Sequence, residues 1–130
     1  MRSVLTLLAL LALVNCRGDE SVANYGGADT QWRLISLDGA PFTARATLRF
    51  GEAGAITGDA PCNRYFATQT APYPWFSAEK IGATRRACPD LNQEAAYLSA
   101  LAEMTLSEVA GDTLILSNDT GREMLYKTEK

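Results

Sequence analysis

From position 30 onward, turn signals cut the chain into short segments, and that texture restricts it to short strands. Asp38-Gly39, residues 51–54, Gly111-Asp112 and residues 118–121 each mark a turn. The segments between them have β character. Residues 31–37 place Trp32 and Leu34 on one face and Arg33 on the other. Residues 46–50 alternate, with Ala46, Leu48 and Phe50 inward and Thr47 and Arg49 outward. Residues 55–59 form a short strand in which Gly58 signals a bulge, and Pro61 argues against a central strand just after it. Residues 67–71 and 81–87 are further extended segments. Between them, Pro72-Tyr73-Pro74 is a stiff connector, and Trp75 and Phe76 are expected to anchor the core.

One mature helix is predicted over residues 90–103. Asp90 is its expected cap, with Gln93 three positions on as a relaxed capping box. Leu91, Ala95, Leu98 and Ala102 recur at helical spacing and define the expected buried face, with Leu101 beside it. Residues 105–110, 113–117 and 122–127 then form a three-strand meander. Strands, one helix and three more strands, with no βαβ alternation, give an α+β fold that is mainly β. The expected form is a curved antiparallel sheet or small open barrel with one packed helix.

The N-terminus carries an address. Residues 4–14 are almost wholly apolar and follow a single positive charge, Arg2. Eleven helical residues span about 16 Å, well short of the ~30 Å hydrocarbon core, which suits a signal peptide over residues 1–15. Leu13-Val14-Asn15-Cys16 resembles the lipobox of bacterial lipoproteins, in which the Cys becomes the lipidated first residue. Asn15 stands where that box usually has a smaller residue; ordinary signal cleavage, giving a secreted protein, is the alternative. Removing fifteen residues and the charge of Arg2 from 130 residues and −3 leaves 115 residues and −4. Acyl chains would then hold the domain at a membrane without a spanning helix. Residues 16–29 read as the lipidated Cys and a polar, flexible tether, and residues 30–130 as the folded domain. Arg17 replaces the Asp that favours inner-membrane retention in lipoproteins, so in a Gram-negative host the resemblance implies the outer membrane, facing the periplasm.

The cysteine count is odd, and lipidation of Cys16 makes it even. Cys62 and Cys88 remain, as one bridge or as two separate buried thiols. Export favours the bridge. It would close a loop of about 27 residues and contribute roughly 3–4 kcal/mol in the chain-entropy model.

The chain has no histidine, so a Ser-His-Asp triad, a Cys-His dyad and a His-rich zinc site are excluded. No CxxC pair is present, and two cysteines without histidine make a poor metal site. A pI near 4.9 offers no phosphate-binding surface, so nucleic acid is not an expected partner. Asp59, Glu94, Glu108, Asp112 and Asp119 are carboxylates without a fixed spacing, which leaves a carboxylate hydrolase as a minor alternative. Ser36, Ser77 and Thr84 have no base beyond carboxylates or Lys80, and no SxxK motif is present. Gly51 and Gly54 lack the rest of a phosphate loop. Arg64 with Arg85-Arg86 suggests a cationic patch, but neighbours in a strand face opposite ways, so only one of the two can join Arg64. Asn63 is expected to bond neighbouring backbone in a turn.

Several of these stretches occur in a familiar order. Trp32-Arg33-Leu34 precedes Asp38-Gly39, residues 46–50 and Gly58. Then come Cys62-Asn63-Arg64-Tyr65, Thr84-Arg85-Arg86-Ala87-Cys88-Pro89, a Glu94-bearing helix and Leu114-Ile115-Leu116. The chain resembles the META domain (DUF306, HslJ-like) family over about residues 30–126. That family usually has Gly where Pro61 stands and often Met where Arg86 stands. The resemblance implies a single antiparallel β domain with a helix, often on bacterial envelope lipoproteins. Members are linked to heat-shock expression, novobiocin resistance, motility or secretion. It implies no agreed catalytic residues and no cofactor. It also implies a Cys62–Cys88 bridge, with Asn63, Arg64, Tyr65, Thr84 and Arg85 as a motif surface.

The expectation is therefore a non-enzymatic envelope lipoprotein, without cofactor or metal, that binds or supports an envelope component in stress tolerance. Its partners would be a membrane, through the anchor, and an envelope protein. The alternative is a small β-domain protease inhibitor or apolar ligand carrier, presenting residues 71–75 as its loop.

Overall fold

The structure, a computed structural model, describes residues 20–129; the apolar run and Cys16 lie outside the described residues. The elements are β1 (Gln31–Leu37), β2 (Ala40–Pro41), β3 (Thr47–Phe50), β4 (Ala55–Asp59), β5 (Arg64–Thr68), β6 (Glu79–Ala83), α1 (Leu91–Glu103), β7 (Leu106–Ala110), β8 (Thr113–Ser117) and β9 (Glu123–Thr128). The strands form a single antiparallel sheet in the order β6-β5-β4-β3-β1-β9-β8-β7, with β2 folded back on β1. The sheet curls into a half-barrel with one main helix, the α+β, mainly β fold expected from the sequence. β1 joins the two meanders, pairing with β3 on one side and β9 on the other.

Turn chemistry sets the hairpins. Asp38 and Gly39 both have positive φ, 52° and 81°, as a two-residue turn between β1 and β2 requires. Gly111, at φ 59°, opens the two-residue turn that pairs Ala110 with Thr113. Alternation does the rest. Trp32 and Leu34 face inward from β1, as do Ala46, Leu48 and Phe50 in and beside β3. They join Ile56, Leu114, Leu116 and Met124 in one core.

Four local expectations are corrected. Thr47, expected to be exposed on the outer face, is buried, and its hydroxyl accepts the N–H of Asp59 at 2.9 Å. β5 covers Arg64–Thr68 and not 67–71, and β6 covers Glu79–Ala83, so residues 84–87 lie beyond the sheet. The buried face of α1 is Glu94, Tyr97, Ala100 and Leu101. Leu91, Ala95 and Ala102 are exposed, Leu98 is half-buried, and Asp90 makes no side-chain cap bond. The helix is rotated so that its two polar tips are buried, Glu94 against the loop between β4 and β5 and Tyr97 against groups of the sheet. Trp75 is the fourth correction: it is 58% exposed, while Phe76 is buried as expected. Residues 74–76 run along the outer edge of β7, where Ser107 N–H donates to Pro74 O at 2.7 Å and Phe76 N–H to Thr105 O at 2.8 Å. Alternation along this extended run turns Phe76 in and Trp75 out.

The described part of the polar stretch before residue 30 is packed. Val22 is fully buried, and a helical turn at Ala23–Gly27 follows it. Ala28 pairs with Phe50, and Trp32 Nε1–H donates to Gly27 O at 3.3 Å. This segment lies against both β3 and β7.

Candidate functional site

The two motif stretches meet beside the N-terminal half of α1. Cys62 and Cys88 are joined by a disulfide with Cα atoms 5.7 Å apart. Asn63, between them and the helix, is buried. Its Oδ1 accepts Arg86 N–H at 2.6 Å and Thr84 Oγ1–H at 3.0 Å. Its Nδ2 donates to Glu94 Oε2 at 2.7 Å and to Arg86 O at 3.1 Å. Both donors and both acceptor positions of the amide are therefore used. The partners lie more than twenty positions away, so Asn63 is a long-range tie and not the local turn former expected.

Glu94 completes the tie from the helix. Its Oε1 accepts the backbone N–H groups of Cys62 at 3.0 Å and Asn63 at 2.8 Å. A carboxylate in the first turn of a helix also faces the positive end of the helix dipole. Outside this core, Thr84 Oγ1 accepts Arg64 N–H at 3.2 Å, and Thr84 N–H donates to Arg64 O at 3.0 Å. The motif residues hold one another: disulfide, amide and carboxylate fasten the 61–64 loop to the 84–88 loop and both to α1.

Tyr65 is buried in the core and contributes nothing to a surface. Its hydroxyl donates to Thr47 O at 2.6 Å and lies 2.7 Å from the Tyr97 hydroxyl, which lies 3.0 Å from that of Tyr126. The rings of Tyr65 and Tyr97 meet edge to face. Burial pushes all three hydroxyls well above the usual tyrosine range, so they stay protonated at neutral pH. Gly58 makes room for this relay: a Cβ there would lie 2.1 Å from Thr47 O.

Above the clasp is an open hollow of about 430 Å³ whose lining includes Arg45, Asp59, Arg64, Thr84 and Arg86. Arg86 thus joins Arg64 in this lining and Arg85 does not, so one of the pair shares a side with Arg64 as expected, although both lie beyond the end of β6. Arg45 is engaged by Glu129 at 2.8 Å and Asp59 at 3.6 Å. A second arginine, Arg122, is shared by Asp38, at 2.9 Å, and Glu103. The Arg45 guanidinium holds the Glu129 carboxyl below its ordinary range, and Arg122 does the same for Asp38. Glu129 and Asp38 are therefore kept ionised, the opposite of what a general acid needs.

Sequence reasoning missed the roles of Glu94 and Tyr97. A polar residue on a helix that follows a paired cysteine was the available signal for Glu94.

A family model described as META domain matches residues 26–130. No match was found among curated proteins. Among solved structures, a protein from Burkholderia xenovorans, determined by NMR, is 25% identical. That match covers 84% of this chain and 88% of the other, with a TM-score of 0.68. A DUF4847 family protein from Bacteroides vulgatus, determined by crystallography, shares the fold at 13% identity. It covers 85% of this chain and 99% of the other, with a TM-score of 0.65. The matched region takes in the whole clasp, from the Cys62 loop to α1, and the chain belongs to the META domain family.

Proposed function

We propose that this chain is a lipid-anchored protein of the bacterial cell envelope whose META domain binds or supports another envelope component during stress, without performing a reaction. The observation that carries the non-enzymatic part is the state of the motif residues. Cys62, Cys88, Asn63, Thr84 and Glu94 are linked in one bonded network, so the family signature is spent on architecture. The anchor rests on the sequence, in which Cys16 ends an apolar run too short to span a bilayer. Inhibition by the 71–75 loop is disfavoured. Pro74 O and Phe76 N–H are bonded to the β7 edge, and Trp75 N–H to Pro72 O, so little main chain is left to offer a protease.

Cells fed a palmitate analogue should tag the full chain, and Cys16→Ser should abolish the tag. A tag that survives this substitution refutes the anchor. Proximity crosslinking in intact cells should then join the domain to an envelope component. A lysate of the same cells that hydrolyses or modifies a substrate only when the protein is present would refute the non-enzymatic part.

A further inference from the structure

Two exposed aromatic side chains and a half-buried third lie where the described chain begins. Tyr25 is 53% exposed and Trp75 58%. Tyr25 stacks on Tyr73, with ring centroids 4.6 Å apart and planes 11° from parallel. Tyr73 and Trp75 belong to one tight turn, closed by Trp75 N–H donating to Pro72 O at 2.7 Å, and Pro72 and Pro74 are also exposed. The turn is fixed to the protein on two sides. Tyr73 N–H donates to Glu20 O at 2.6 Å, and Tyr73 Oη accepts Val109 N–H at 3.4 Å. The turn is thus held on two sides and bonded directly to Glu20.

We infer that Tyr25 and Trp75, with Tyr73 stacked behind Tyr25 as their support, are a membrane-docking face that seats the domain on the bilayer surface beside its own anchor. This inference rests on lipidation of Cys16. Glu20 lies only four positions after Cys16, and fully extended those four steps reach about 14 Å. An acylated Cys16 therefore keeps Glu20, and the turn bonded to it, close to the headgroups. Tyr and Trp are the side chains that favour this zone, with an apolar ring toward the acyl chains and a polar tip toward water. The mature charge of −4 offers no electrostatic attraction to anionic lipid, so the contact is apolar and forms on zwitterionic lipid.

The two tryptophans make a direct test, because Trp32 is buried and Trp75 is exposed. The full chain, made in a host that processes lipoproteins, is reconstituted in phosphatidylcholine vesicles carrying bromine near the top of the acyl chains. Trp75 emission, taken as wild type minus Trp75→Phe, is expected to fall roughly twofold relative to unbrominated vesicles. Tyr25→Ser, which removes an exposed ring, should weaken the quenching. Wild type that floats with the vesicles while Trp75 stays unquenched and open to acrylamide overturns the docking face and leaves the anchor intact. A Trp75 shielded from both bromine and acrylamide is covered by protein, a second copy or a partner, and also overturns it. A chain whose mass shows no acyl groups, and which remains in solution, refutes the anchor and the docking face with it.

Discussion

Glu94 and Asn63, thirty-one positions apart, are bound to each other twice: the carboxylate accepts the Asn63 backbone N–H at 2.8 Å and its side-chain amide at 2.7 Å. Glu94→Gln keeps an oxygen for the backbone groups but sets one NH2 against another at Asn63. The expected cost is about 1–3 kcal/mol, with Glu94→Ala costing more because the N–H groups of Cys62 and Asn63 lose their acceptor. Urea denaturation of the three proteins should give midpoints in the order wild type, Gln, Ala. Equal midpoints would show that the tie carries no stability.

Reducing the Cys62–Cys88 bond should lower stability by roughly 3–4 kcal/mol in the chain-entropy model. The Asn63–Glu94 bonds survive reduction, so the reduced protein is expected to stay folded at low denaturant. Denaturation with and without reductant gives the difference, and a Cys62→Ser, Cys88→Ser double variant should reproduce the reduced value.

Tyr97→Phe removes the middle hydroxyl of the relay and leaves Tyr126 without its partner, at an expected cost of about 1–3 kcal/mol. Tyr126→Phe removes only the end of the chain and should cost less. The alkaline limb follows from the same burial. A raised folded pKa means the contribution is complete below the unfolded value, near 10, and is lost as pH climbs past it toward the folded value. Tyrosinate absorbance from these three residues should therefore appear together with the loss of secondary structure in an alkaline titration. Their ionisation in a protein that keeps its circular dichroism would contradict the relay.

At the acid end, Arg122 holds the Asp38 carboxyl down. A depressed carboxyl contributes above its unfolded pKa and loses that contribution as pH falls through the folded one. Arg122→Gln should flatten the stability profile below about pH 4, at a neutral-pH cost of about 1 kcal/mol or less for so exposed a pair. Thermal melts across an acid series would reveal an unchanged slope if the pair is inert.

Gly58→Ala places a methyl group 2.1 Å from Thr47 O and 2.7 Å from the Tyr65 ring. Relief requires moving β3 backbone that also receives the tyrosine hydroxyls, so a loss of about 1–3 kcal/mol is expected. Amide exchange at Asp59, whose N–H is bonded to Thr47, should accelerate.

Much of the sheet was legible because its signals are local. Asp38-Gly39 and Gly111-Asp112 set two hairpins through backbone conformation, and alternation put Trp32 and Leu34 inward. The clasp was less legible. Hydropathy turned α1 by its leucines and alanines, whereas Glu94 and Tyr97 are buried for partners on other strands and loops. Thr47 is likewise buried with a partner, Asp59, twelve positions away. Trp75 looked like core by size alone, but the β7 edge fixes which of two adjacent aromatics is turned inside. The pairing of Cys62 with Cys88 is legible from the cysteine count and the family resemblance, whereas the Asn63 and Glu94 bonds beside it join loops and a helix far apart in sequence and leave no local signal.

The run of residues 74–76 along β7 has a consequence for how copies of this domain behave when crowded. A sheet with two bare borders can add neighbours at both and grow into an endless ribbon. Here β7 is already occupied, and among the described residues β6 is the other terminal strand. Growth needs a complementary second border, so side-by-side pairing through β6 would close on itself at two molecules.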